Sequence, residues 1–428
     1  MKGSSRRLTL GAGAVLSGFM LSALPYLMAD DALAIPAWSR KYDTNCQMCH
    51  TAVFPRLNVY GERFLANGYQ NPDDVPDGDT QGKSAMGDLL NLDTNPGHWL
   101  TARLNLTPFA YETNAQTVEG KLADKFTIGN SNWLQLFVAG SITKNTSIYI
   151  ENEFSADGFH QAWFYMGLHN LGNSPWANLQ IGRLSPVIFA PYPDRLPQLP
   201  AISKGVMRLK SSDGKGEASL DLRSPRFGLQ YYGHSGPVTL YAGLTPGADK
   251  PTNAANNPGY WAGLRLWLPE GKSKTLGGSS IGIHYDAGTD TKSAATDSLR
   301  ENAYYRIMPG VNLRYRDKLD VQAVYVIAHE DNRTLAAVDR ELDYGGIRAV
   351  GTWFLNDRWS LGAHYDNSSV SDEVDKALLP EYHFLFIPVV TYSWRENFRI
   401  SLYPGLDLRD VDSDAKNHTV FFNIRTSI

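Results

Sequence analysis

Cysteine is nearly absent from this 428-residue chain: it has two, Cys46 and Cys49. Zinc would want a second pair of ligands beside them, and a thioredoxin-like site would want a βαβ pattern around them; the sequence supplies neither. Positive charge is not in excess either. With a net charge of −4 and only 20% charged residues, the chain lacks the basic face that nucleic-acid binding requires. After the first 30 or so residues no apolar run is long enough for a membrane helix. Glycine pairs such as Gly345-Gly346 lack the context of a nucleotide loop. No Ser/His/Asp motif stands in the setting that hydrolysis needs.

What is present begins with Asn45-Cys46-Gln47-Met48-Cys49-His50. This is the C-x-x-C-H arrangement of c-type haem attachment. Two thiols at this spacing each form a thioether to one vinyl group of the porphyrin, and His50 is then held beneath the ring as the proximal iron ligand. One covalent haem c is therefore expected.

Residues 1–34 read as a secretory signal. Lys2, Arg6 and Arg7 make a basic start, an apolar run follows, and Ala32-Leu33-Ala34 offers a cleavage site. The run is also long enough to remain as an uncleaved anchor. Residues 35–70 form a small haem segment. A short amphipathic helix is expected from Arg56, with Leu57, Tyr60, Phe64 and Leu65 on one face and Asn67-Gly68 ending it. So short a segment does not bury a haem unaided, so another part of the molecule must wall the cofactor. Residues 71–97, with Asp73, Asp74, Asp77 and Asp79 among prolines and glycines, read as a solvated linker.

From residue 98 to the C-terminus, segments of about ten residues alternate apolar and polar, with turn residues between them. Ile281-Gly-Ile-His-Tyr285 and Trp359-Ser-Leu-Gly-Ala-His-Tyr365 show the pattern clearly. This is the signature of an all-β fold, a transmembrane antiparallel β-barrel, here of about 16 strands. Tight turns near Arg316-Asp-Lys318 and Leu355-Asn-Asp-Arg358 alternate with long loops, among them 112–129 and 185–224. Short turns belong on the periplasmic side, so both barrel ends and the haem segment are expected there. A soluble all-β sandwich or propeller, acting as a periplasmic electron carrier, is the competing architecture.

Together, the haem segment and the barrel resemble the fused cytochrome–porins, the outer-membrane iron oxidases of iron-oxidising bacteria. The residues that carry the resemblance are Pro36, Trp38, Arg40, Cys46, Cys49 and His50, followed by Pro55, Leu57, Asn58, Gly61, Phe64, Gly68 and Tyr69. Trp38 replaces an expected phenylalanine, and the chain ends on Ile428 rather than an aromatic residue. The resemblance implies an outer-membrane location, Fe(II) outside the cell as electron donor, and a periplasmic cytochrome or copper protein as acceptor. The alternative is a diffusion porin with a structural or regulatory haem plug.

The sixth haem ligand is open among Met86, His98, His160 and no protein ligand at all. A second expectation concerns the lumen. Alternation turns His284, Asp286, His364 and Asp366 inward, together with Glu151 and Glu153, all towards the outer mouth. Such a ring of carboxylates and imidazoles would attract Fe(II); an ordinary polar porin lining is the simpler reading.

Overall fold

The structure is a computed structural model that describes residues 37–51, 56–70, 96–118, 121–129, 133–143, 145–155, 158–192, 205–209, 220–222, 225–246, 258–270, 275–293, 299–331, 341–370, 384–395, 397–409 and 416–427. The signal segment, nearly all of the linker and Met86 lie outside the described residues. Among the described residues no helix is long and apolar enough to cross a membrane.

The barrel opens with β1 (Leu100–Val118), β2 (Lys121–Ile128), β3 (Trp133–Thr143), β4 (Thr146–Ser155), β5 (Gly158–Leu168) and β6 (Asn178–Leu184). A separate short pair, β7 (Arg208–Leu209) and β8 (Leu220–Asp221), interrupts it. The wall resumes with β9 (Arg226–Ser235), β10 (Val238–Thr245), β11 (Gly259–Trp267), β12 (Ser280–Ser293) and β13 (Leu299–Tyr315). It ends with β14 (Leu319–Glu330), β15 (Leu342–Phe354), β16 (Trp359–Val370), β17 (Phe384–Arg395), β18 (Phe398–Asp407) and β19 (Thr419–Ser427). Both β2 and β3 pair with β1, one after the other along its length, and count as one stave. Sixteen antiparallel staves result, and β1 closes the ring against β19 with Arg103 opposite Ser427.

Alternation decides which side faces out. Along β12, Ile281 and Ile283 are exposed while His284 and Asp286 are fully buried; along β10, Leu240 and Leu244 face out while Thr239 and Tyr241 face in. Exposed aromatic residues such as Tyr260, Tyr315, Trp353 and Trp359 sit near strand ends. An apolar outer band with aromatic rims is what a bilayer demands of a barrel. At the end that holds both termini the connections are tight. Arg316 and Asp317 both have positive φ (47° and 52°), the left-handed pair of a two-residue hairpin turn.

Two long loops differ from expectation. Residues 112–129 carry the ends of β1 and β2, a hairpin rising beyond the neighbouring strands. The connection from β6 to β9 folds inward. Its Val187, Tyr192, Met207 and Leu222 pack on Met308, Val324 and Val326 of the wall, and the Tyr192 hydroxyl donates to the Met308 carbonyl at 2.9 Å. This part of the lumen is apolar rather than polar because a loop covers it.

The N-terminal segment forms two short helices, α1 (Ala37–Tyr42) and α2 (Val59–Ala66), at the tight-turn end of the barrel. The second is the helix expected from the sequence. Asn58 caps its start, and Gly68, with φ +72°, follows its end.

Candidate functional site

The C-x-x-C-H stretch is a single tight turn. Asn45 caps it by accepting from the Met48 amide at 3.0 Å, and the His50 amide donates to the Cys46 carbonyl at 2.9 Å. Asn58 ties this turn to α2. Its side-chain nitrogen donates to the carbonyls of Gln47 (2.9 Å), Met48 (3.0 Å) and His50 (3.3 Å), while its oxygen accepts from Gly61. Gly61 is required for that contact, since a Cβ there would lie 2.0 Å from the Cys49 carbonyl oxygen. Asn58 and Gly61 of the sequence pattern thus hold the cysteine turn against a helix. Burial, with Cys46 beside it, pushes the Cys49 thiol up to about 11.

Beside this turn lies an open cleft between the N-terminal segment and the barrel wall. From the N-terminal segment, Trp38, Cys49, His50, Phe64 and Tyr69 line it. Trp99, Arg103, Phe137, Tyr149 and Ser427 complete it from the barrel side. Trp38 stacks on Tyr69 with ring centres 4.8 Å apart, so the tryptophan at that position serves as a flat wall. The donor set and the largely aromatic lining fit a haem whose thioethers form at Cys46 and Cys49 and whose iron is held by His50.

The segment is fixed to the wall by a buried ion cluster that sequence reasoning missed. Arg56 forks onto both oxygens of Asp320 at 3.1 Å and reaches Glu62 at 3.1 Å and Asn312 at 2.9 Å. Glu62 also meets Arg314 at 2.6 Å and Arg265 at 2.7 Å. Burial alone would raise the Glu62 carboxyl, but Arg265, Arg314 and Arg56 outweigh it and hold it down at about 2. Opposite this cluster, the Tyr232 hydroxyl donates to the Ala66 carbonyl at 2.9 Å, Ser141 donates to Gly68 at 3.1 Å, and Tyr69 and Tyr165 share a short hydroxyl contact. Only the i+6 spacing of Arg56 and Glu62 hinted at such a cluster; its other members arrive from β11, β13 and β14.

Of the sixth-ligand candidates, the structure describes the backbone of His98 and His160. His98 ends the turn Pro96–His98 and is not among the described lining residues. His160 lies opposite Glu153 near the outer start of β5, five residues and so ~17 Å outward of Tyr165. Met86 lies outside the described residues.

The residues expected at a cation-attracting mouth are spread around the ring. His284 and Asp286 on β12, His364 and Asp366 on β16, and Glu151 and Glu153 on β4 do face inward, but on staves far apart around the ring. Among the described residues no group of three or more such side chains is placed to hold a metal. The carboxylates are also spoken for. Asp286 takes two bonds of 2.8 Å from Arg226 and one of 3.0 Å from Arg306; Glu151 accepts from Gln135 and Tyr149; Asp366 contacts His364 and lies opposite Arg348. Neighbouring strands place arginines at the same level, and one-strand alternation does not reveal them.

No protein-family model matches the chain, and no curated protein sequence matches it. Solved structures do. A Salmonella typhi OmpF complex with daunomycin aligns at 10% identity with a TM-score of 0.53, covering 77% of this chain and 97% of that one. An anion-selective porin from Comamonas acidovorans aligns at 10% identity with a TM-score of 0.52, covering 77% and 99%. At such identity the likeness is one of fold, and the fold is that of the outer-membrane porins.

Proposed function

We propose that this chain is an outer-membrane electron-transfer barrel, in which a covalent haem c on the periplasmic plug accepts electrons from Fe(II) outside the cell and yields them to a periplasmic cytochrome or copper protein. The observation that carries this reading is the aromatic cleft at the plug–wall junction, with Cys49 and His50 in its lining and Cys46 one turn away. Haem c, when bound, supplies a one-electron iron couple. The remaining work belongs to the chain. Cys46 and Cys49 provide the thioether sulfurs, and His50 provides the proximal nitrogen. Trp38, Phe64, Tyr69, Phe137 and Tyr149 exclude water from the cleft, and the Arg56–Glu62–Asp320 cluster fixes the plug across the periplasmic mouth. The apolar outer band supports an outer-membrane setting, which is where iron chemistry stays outside the cell.

The test is spectroscopic. The detergent-solubilised protein, matured in a host that attaches haem c, should show reduction of its haem bands on addition of Fe(II). A colourless product, or a haem indifferent to Fe(II), ends the proposal. The porin-like fold favours one second reading, a diffusion channel with a structural plug. Solute-conducting pores in planar bilayers, combined with no response to Fe(II), would support it.

A further inference from the structure

Three arginines meet on the lumen face where the barrel closes. Arg399 of β18 lies opposite Arg425 of β19, Arg425 lies opposite Asn105 of β1, and Arg103 sits two residues before Asn105. Arg425 and Arg103 both reach the ring of Trp133, at 5.3 and 5.5 Å, and Arg103 also lies 4.9 Å from the ring of Phe137. Arg103, Phe137 and Ser427 line the cleft; Arg425 comes two residues before Ser427 on β19, and Arg399 is its cross-strand neighbour on β18.

Their charges are unequally met. Arg103 donates to Gln135 and lies 3.8 Å from Glu151. Arg425 donates only its Nε to Asn105, at 3.1 Å. Arg399 is 1% exposed, and among the described residues none of its three guanidinium nitrogens has a hydrogen-bond partner; the nearby Tyr403 hydroxyl is likewise buried with no partner among them. Among the described residues no carboxylate pairs with Arg399 or Arg425. Burying an unmatched guanidinium is strongly unfavourable. Its planar fork of donors matches a carboxylate in two parallel bonds.

We propose that Arg399 and Arg425, with Arg103 at the rim, form a carboxylate-binding site beside the cleft. Two sources supply that chemistry. One is the pair of propionates on a haem held at Cys46 and Cys49, which rests on the function proposed above. The other is a free polycarboxylate entering the lumen, which does not.

The experiment compares full-length, detergent-folded wild type with Arg399→Gln and Arg399→Lys, using heat-modifiable gel mobility to restrict the comparison to folded barrels. The midpoint potential is read by redox titration. Citrate binding is read by calorimetry on haem-loaded protein and on a haem-free Cys46→Ser/Cys49→Ser form. If propionates are the occupant, the potential falls in Arg399→Gln and is largely restored in Arg399→Lys, while citrate binds only the haem-free form. If the occupant is free, the potential is unchanged, citrate binds both forms, and Arg399→Gln weakens it about tenfold or more, the equivalent of one charged hydrogen bond. A potential and a citrate affinity that both ignore Arg399 overturn the site. Should the wild type carry no haem, the function proposed above fails, and citrate binding to the colourless protein still decides the site.

Discussion

Two stretches of the same inner wall treat their arginines differently. On β11–β14, Arg265 and Arg314 are matched by Glu62 from the plug and Asp320 from the wall, with Arg56 completing the cluster. On β18, β19 and β1, Arg399 and Arg425 meet no carboxylate among the described residues. The matched stretch ends as a lock between two parts of one chain. The unmatched stretch is free to recognise something that arrives from elsewhere. Buried charge is costly on either stretch, so what differs is whether the partner is encoded in the same polypeptide.

Breaking the matched stretch should have the largest effect. Glu62→Gln leaves Arg56, Arg265 and Arg314 facing Asp320 alone and should cost about 3–5 kcal/mol, the usual penalty for orphaning one side of a buried pair. Protease digestion should then release the plug while the barrel stays resistant.

Acid acts on the same lock more gradually. The Glu62 carboxyl is held at about 2 in the folded protein against an ordinary 4.5. A depressed carboxyl stabilises above its ordinary value and loses that contribution as pH falls through the folded one. The lock should therefore be at full strength above about pH 4.5, weaken between there and pH 2, and forfeit ~3 kcal/mol at the bottom. Plug protection against acid-active protease across that window checks the sign. The arginine pair on the other stretch, with no carboxylate of its own, should add nothing to the slope.

Smaller effects sharpen the comparison. Gly61→Ala drives a Cβ into the Cys49 carbonyl and should cost about 1–3 kcal/mol by overpacking, read as a lower yield of covalently haem-stained protein. Tyr232→Phe removes the hydroxyl's hydrogen bonds to the Ala66 carbonyl and to His169 Nδ1 and should cost about 1–3 kcal/mol, with the cysteine turn unaffected. A Tyr232→Phe effect as large as that of Glu62→Gln would show that the plug is held by its neutral contacts instead.

Legibility followed the burial of one face against another medium. Every barrel stave expected from residue 98 onward is present, because each must be apolar towards lipid and polar or small inside, and Ile281, Ile283, His284 and Asp286 display that rule within six residues. β2 escaped notice because it buries neither face. Its side chains alternate only between exposed and half-exposed, so Lys121–Ile128 carries little of the period that marks a strand. The inward direction of His284 and His364 was readable; their neighbours were not, since Arg306 comes opposite Asp286 and Arg348 opposite Asp366 only through inter-strand register. The ion cluster and the arginine trio share that difficulty. Asp320 is 264 residues from Arg56, and Arg103 meets Arg425 only because the two ends of the barrel sequence join.

The aromatic cleft draws Thr101 and Arg103 from the first stave and Ser427 from the last. Its wall therefore straddles the seam of the barrel and is complete only when the final strand has zipped onto the first. A chain halted one strand short would leave this cleft without its Ser427 side, so finishing the barrel and enclosing the cleft are a single assembly event.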